Sequence, residues 1–226
     1  MSATEPTPAS ASPGPGDAVP GGAAAEAAAA GLERLQSDRP EREMRADARR
    51  NYDKLLAAAW AAFAERGSDE VSLEEIARRA GVGIGTLYRH FPNRQCLLEA
   101  VYRDQVVALG GRAAKLLAAE SPADALAEWL RELVVFSSTK RSLTRELLAT
   151  LETESSFLPV CKTVIGQSTS ALLQRAQQTG DARADITGSD LIRLAQGMIM
   201  ATDQAPGSSG ELDRMLSVIV AGLRAS

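Results

Sequence analysis

Two cysteines, one histidine and 4% aromatic residues in a chain of 226 leave little of the material from which catalytic and metal sites are made. Cys96 and Cys161 are too few for a disulfide framework, and adding His90 still falls short of a four-ligand zinc cluster. No metal or cofactor is therefore expected. The longest apolar runs stop far short of the roughly 20 residues that cross a bilayer as a helix, which removes a membrane span. Strand-like alternation of useful length is missing, as is any repeat at a period of about 20–50 residues. What is present is apolar residues in quantity, 45% of the chain, at helical spacing.

The formal charge of −4 is unevenly laid out. Residues 1–40 carry two basic and five acidic groups, residues 41–109 eleven of each, and residues 110–226 twelve against thirteen. Six of the ten prolines also fall in residues 1–40, among Ala, Gly, Ser and Thr. Such a composition buries too little apolar surface to offset the entropy of ordering, so residues 1–40 read as a disordered leader. A signal peptide does not fit, because no basic residue precedes the run Ala23 to Ala30 and Glu26 interrupts it. A cytoplasmic protein is expected.

From Glu41 onward the pattern is helical. A first helix over about Arg45 to Arg66 would bury Tyr52, Leu55, Leu56, Ala59 and Phe63 and end at Gly67. Ser72 and Glu75 form a capping box for a short second helix that Gly81 stops. Gly83 to His90 make a third, broken by Phe91-Pro92, and Asn93 caps a fourth that runs to Leu109 and past Gly110-Gly111 toward Ala119. Ser121-Pro122 opens a helix with Leu126, Trp129, Leu130, Leu133 and Val134 inward, followed by a short helix near Leu143 to Leu151. A longer one over about Ser156 to Gln178 closes at Gly180, and the last two start at Thr187 and Ser208, with Asp190 and Glu211 three residues on.

The most informative stretch is Ser72 to Arg94, SLEEIARRAGVGIGTLYRHFPNR. Two short helices meet at Gly81, with small Ala77 at their closest approach and Ile76, Val82 and Leu87 between them. The outer face of the second helix is polar and rich in donors, whereas a plain hairpin within a bundle would not need it. This is the layout of a helix-turn-helix, whose second helix enters the major groove of DNA. The run Gly81-Val82-Gly83-Ile84-Gly85-Thr86-Leu87-Tyr88-Arg89-His90-Phe91-Pro92-Asn93-Arg94 resembles the head of the TetR family of bacterial transcriptional regulators. That resemblance covers about residues 48 to 108 specifically and the remainder as an all-helical body; Arg94 and Gln95 stand where the family often has Lys and Glu.

Gly83 and Gly85 take two side chains out of the leading turn, letting the backbone approach a groove and leaving Ile84 and Thr86 outward. Thr86 suits a phosphate, a base edge or a thymine methyl; Tyr88 and His90 offer donors to phosphates; Arg89 can read guanine or clamp a phosphate. The resemblance implies DNA contact by Thr86, Tyr88 and His90 and places Ser72 and Leu73 near the phosphates. Arg94 is expected to donate to a phosphate, and Arg45, Arg49 and Lys54, with Arg42 and Arg50, to neutralise others or reach the minor groove. The competing reading of that basic run is a solvated face paired with Glu41, Glu43, Asp47 and Asp53. Catalysis by His90 lacks an orienting carboxylate and a nucleophile, and no catalytic residue is assigned. The Gly81-x-Gly83-x-Gly85 string follows a helix rather than a strand, which removes a dinucleotide loop.

The last two helices carry a second apolar face. Leu194, Met198 and Ile199 are expected inward, while Ile192, Met200, Met215, Val218 and Ile219 are expected at a two-fold interface between two copies. Two-fold symmetry suits paired recognition helices on a palindromic operator. Small-molecule binding within the bundle is implied by resemblance alone; Trp129, Phe136, Phe157, Cys161 and Met198 would line the pocket, with Gln196 and Glu152 as polar anchors.

The expectation is an all-α protein: a leader over 1–40, a helix-turn-helix head over 45–109 and a C-terminal bundle over 110–226 that dimerises and holds an effector. Its partners would be double-stranded operator DNA, a second copy and a small-molecule effector of unread identity, with no membrane. The most fitting function is a DNA-binding regulator, a repressor released by its effector. The alternative is a helical ligand-binding or adaptor module that has lost specific DNA binding.

Overall fold

The computed structural model describes residues 20–37, 46–150, 157–204 and 210–224. Among these it is all-helical: α1 (Pro20–Ser37), α2 (Ala46–Arg66), α3 (Leu73–Ala80), α4 (Ile84–His90), α5 (Arg94–Leu117), α6 (Pro122–Thr150), α7 (Phe157–Gln178), α8 (Gly188–Gln204) and α9 (Glu211–Leu223).

The head is α2, α3, α4 and the start of α5. Tyr52, Leu55, Leu56, Ala59 and Phe63 of α2 are buried, as expected, and they share one core with Ile76, Leu87, Leu97 and Val101. Each fully buried Leu or Phe contributes about 1.5–3 kcal/mol of transfer free energy, so this small head is held by its apolar faces. Its turns are set locally. The Ser72 hydroxyl accepts from the Glu75 amide at 3.2 Å, and Gly81 ends α3 at φ 65°, a left-handed conformation that favours glycine. Asn93 Oδ1 accepts from the Cys96 amide at 2.9 Å and starts α5.

Two expectations about elements are corrected. Residues 20–37 are not part of a disordered leader: they form α1, which lies along α7 and against α5 with Leu35 and Ala24 buried. Close approach makes this possible, since a Cβ on Gly31 would stand 2.7 Å from Val164 Cγ2, and one on Gly110 would stand 2.9 Å from Leu32 Cδ1. Gly110 thus serves packing, and α5 continues past Gly110-Gly111 to Leu117, as its pattern led one to expect. The two helices expected between Pro122 and Leu151 are one, α6, because nothing between Val134 and Leu143 breaks it. The Thr187 cap holds, with Asp190 Oδ2 accepting from the Thr187 amide at 2.9 Å. Helix α9 starts after Gly210, which is left-handed at φ 88°; Ser208 lies outside the described residues.

The body stacks α5, α6, α7 and α8 around a core that includes Trp129, Leu133, Leu172 and Leu191, with α9 laid on α8. No described helix is long and apolar enough to cross a membrane.

Candidate nucleic-acid interface and effector cavity

Helix α4 carries the outward surface of the head. Leu87 is wholly buried, and this fixes the helix about its own axis so that Ile84, Gly85, Tyr88 and Arg89 face out. Ile84 and Tyr88 are 40% and 45% exposed in a head whose other large apolar side chains are buried or half-buried. Thr86 and His90 are half-buried on the flanks. Gly83 caps α4 at an ordinary φ of −65°, and at both Gly83 and Gly85 the space a Cβ would fill is open. Neither backbone conformation nor internal packing therefore demands glycine at these two positions.

Ser72 is exposed and Leu73 half-buried at the start of α3, and Arg49 and Lys54 are exposed on α2. Arg45 lies outside the described residues. The back of α3 is tied to α2 by ion pairs. Arg79 reaches Glu65 at 2.7 Å and Glu75 at 3.0 Å, and Arg66 bonds Glu75. The Arg66 bond, foremost, holds the Glu75 carboxyl below the usual carboxylate range.

His90 packs edge-on against Tyr52, with ring centroids 5.8 Å apart and planes at 72°. Partial burial, and next the neighbouring Arg89 charge, pull its pKa below the ordinary value near 6.5, so the imidazole is neutral at pH 7.

Arg94 departs from expectation. Instead of facing outward to a phosphate, its guanidinium donates to Glu146 Oε1 of α6 at 2.5 Å, to the Val71 carbonyl at 2.7 Å and to the Ser68 carbonyl. The Ser68 amide in turn donates to Ser142 Oγ at 2.9 Å. These bonds seat the α2–α3 loop on α6, with a planar five-donor group satisfying carbonyls that would otherwise be stranded. The motif placed Arg94 at the right point in sequence, but its direction depends on Glu146, 52 residues away.

The body contains a cavity of about 630 Å³ between α5, α6, α7 and α8. Of the residues expected to line it, Gln196 does. Trp129 is core: its indole donates to Thr169 Oγ1 at 3.0 Å. Phe136 and Phe157 pack edge-on against Tyr102, each at 5.9 Å, behind the cavity wall rather than in it. Cys161 is fully buried, Met198 lies in a groove between α8 and α9, and Glu152 is outside the described residues.

The actual wall has Tyr102, Ile165 and Ile199 buried at its floor and Leu148, Ile192 and Met200 toward its mouth. Burial, then Cys161, push the Tyr102 phenol far above its ordinary pKa, so it stays a neutral hydroxyl. Arg141, Arg145 and Lys162 bring the charge. The first two recur at spacing i, i+4 on α6 and were missed because that helix was divided in the sequence reading.

Ile192 and Met200, expected at a two-fold interface, line this cavity instead, because they lie on the α6–α7 side of α8. Met215 and Ile219 flank the α8–α9 groove beside Leu194, which is 47% exposed rather than inward. Val218 is 72% exposed.

A short helix ending in a left-handed glycine, followed by an outward-facing second helix on a small rigid head, defines a helix-turn-helix DNA-binding protein. Residues 55–101 match the family model described as bacterial regulatory proteins, tetR family, and residues 121–225 match the C-terminal domain of SbtR-like transcriptional regulators. A TetR transcriptional regulator of Streptomyces coelicolor is 34% identical, with a TM-score of 0.67 over 77% of this chain and 99% of that one. A TetR transcription regulatory protein of Mycobacterium vanbaalenii is 35% identical, with a TM-score of 0.62 over 80% and 98%. An HTH-type transcriptional regulator of Staphylococcus aureus is 41% identical over 54 residues, which span 24% of this chain and 29% of that protein. The chain belongs to the TetR family of transcriptional regulators.

Proposed function

We propose that this regulator is a homodimeric repressor that occupies a palindromic operator and is released when a small molecule fills the cavity between α5, α6, α7 and α8. The observation that carries the DNA half is the outward pair Ile84 and Tyr88 on α4, kept from the core by the burial of Leu87. Exposed large side chains on a short, rigidly seated helix cost solvation and serve a partner. In this reading Thr86, Tyr88, Arg89 and His90 meet the groove and its phosphates, Gly83 and Gly85 let the backbone come close, and Ser72, Leu73, Arg49 and Lys54 contact the flanks. The helical adaptor reading is not favoured, since an adaptor has no need of that surface. The protein acts in the cytoplasm, where its operator is.

Leu194, Met215, Val218 and Ile219 supply an apolar α8–α9 face for the second copy, which sets two recognition helices about one helical turn of DNA apart. The effector must bind the operator-incompetent arrangement more tightly, because equal affinity for both shifts nothing.

The test is operator binding by Tyr88→Ala and Thr86→Ala, with DNA from upstream of the protein's own gene as probe. Each variant should keep its helicity and its dimer mass and lose at least about tenfold in specific affinity, the worth of one or two contacts. Wild-type affinity in both would refute the assignment of α4 to the groove.

A further inference from the structure

We infer that the effector is an amphipathic organic anion, a carboxylate-bearing molecule with an apolar body, its head held by Arg141, Arg145 and Lys162. This rests on the reading of the cavity as the effector site and adds the chemistry of what fills it.

Every charged side chain lining the cavity is cationic; among the described residues no carboxylate lines it. The apolar members, Ile165, Ile192, Ile199, Leu148 and Met200, come from three helices, while the cations come from two, Arg141 and Arg145 from α6 and Lys162 from α7. Arg145 and Lys162 make no ion pair among the described residues. Both are exposed where the largely apolar chamber meets solvent, so their mutual repulsion is small, and an anion between them offsets it while gaining charge-assisted hydrogen bonds. The neutral Tyr102 hydroxyl lining the same chamber can donate to an acceptor and cannot itself become a competing anion near neutral pH. A cavity of about 630 Å³ suits a small organic molecule rather than a macromolecule. A cationic ligand would meet three like charges, and a neutral one would leave Arg145 and Lys162 without the charge partner an anion supplies.

The position of the arginines connects this choice of ligand to the head. Arg141 and Arg145 also line a second, polar cavity of about 530 Å³ on the other side of α6, together with Asp69 and Glu70 of the α2–α3 loop. The loop that carries these carboxylates leads into α3. An anion taken up on the effector side competes with Asp69 and Glu70 for the guanidinium groups and weakens the electrostatic attraction that these add to the Arg94 bonds seating the loop on α6. A neutral ligand of the same shape has no such effect.

Calorimetry on the full chain tests the ligand class with two matched series, octanoate, octanol and octylamine, and 4-phenylbutanoate with its alcohol and amine. In at least one series the carboxylate should bind about tenfold or more tightly than the alcohol, as expected for charge-assisted bonds, and the amine weakest. In Arg145→Met and Lys162→Met that preference should collapse toward unity, while the alcohol binds as to the unaltered protein. Carboxylates that bind no more tightly than their alcohols in both series, or a preference that survives both substitutions, overturn the inference. Operator release is read separately by adding the preferred carboxylate to the DNA complex. Selective binding without release upholds the ligand class and counts against the repressor reading, so the two fail independently.

Discussion

Arg89 and Arg94 stand on either side of the Phe91-Pro92 break, and their surroundings give them different work. Arg89 is exposed on α4, while Arg94 is spent on Glu146 and two loop carbonyls. Replacing Arg94 with Met strands those acceptors, and because the site is partly solvated the expected loss is about 1–3 kcal/mol in urea denaturation. Arg89→Ala should change stability by less than about 0.5 kcal/mol and weaken operator binding instead. His90 gives a pH-dependent test. Its pKa is depressed in the folded head, so the stability it contributes is present above pH 6.5 and is lost as pH falls through the folded value. The thermal midpoint should therefore drop more steeply between pH 7 and 5 in the unaltered chain than in His90→Gln, and parallel curves would remove the histidine from the account. The outward direction of Ile84 was legible in the sequence, because a buried Leu87 three residues on dictates which way the helix faces; Thr86, expected outward beside it, is half-buried. Arg94 was not, because an arginine follows whichever acceptor the tertiary fold brings near.

At the scale of elements, most helices could be read from their caps: the Ser72–Glu75 box, the Gly81 turn, and Asn93 and Thr187 all act where the spacing placed them. Helix α1 could not, since an Ala- and Gly-rich run shows little amphipathic pattern and its stability comes from the surface it lies on. Gly31 is the contact that decides this. An Ala there brings a methyl against the stiff, β-branched Val164, and the overpacking should cost about 1–3 kcal/mol despite the better helix propensity. Gly111, one residue from the packed Gly110, has open space where its Cβ would go, so Gly111→Ala should stabilise by about 0.5–1 kcal/mol. Opposite signs in chemical denaturation would establish that α1 is seated on α7 and α5 in solution; a gain at both positions would mean that α1 is detached. The cavity wall escaped the sequence reading for a related reason. Tyr102, Arg145 and Lys162 belong to three helices, and nothing local marks them as neighbours before the bundle is assembled.

For the whole molecule, charge decides how DNA is held. A net −4 disfavours nucleic acid on its face, yet residues 41–109 are balanced at eleven and eleven, and the pairing within the head sharpens that balance. Arg66 and Arg79 are tied to Glu65 and Glu75, Arg50 to Asp47, and Arg94 to Glu146. Lys54, Arg78 and Arg89 are exposed and make no ion pair among the described residues, whereas Arg49 already has a partner within the chain, which leaves about three uncommitted phosphate partners per head among the described residues. With two heads on one operator the released counterions number about six, and log affinity should fall against log salt with a slope near −5. Specificity must then come mainly from groove contacts by α4, since backbone attraction of that size holds any duplex only weakly. Titrating operator binding between 50 and 300 mM salt measures the slope, with Lys54→Ala expected to make it shallower by about two in the dimer. A slope near −10 would mean that cations beyond these three engage the backbone, and the balance of the head would then be misleading about how it grips DNA.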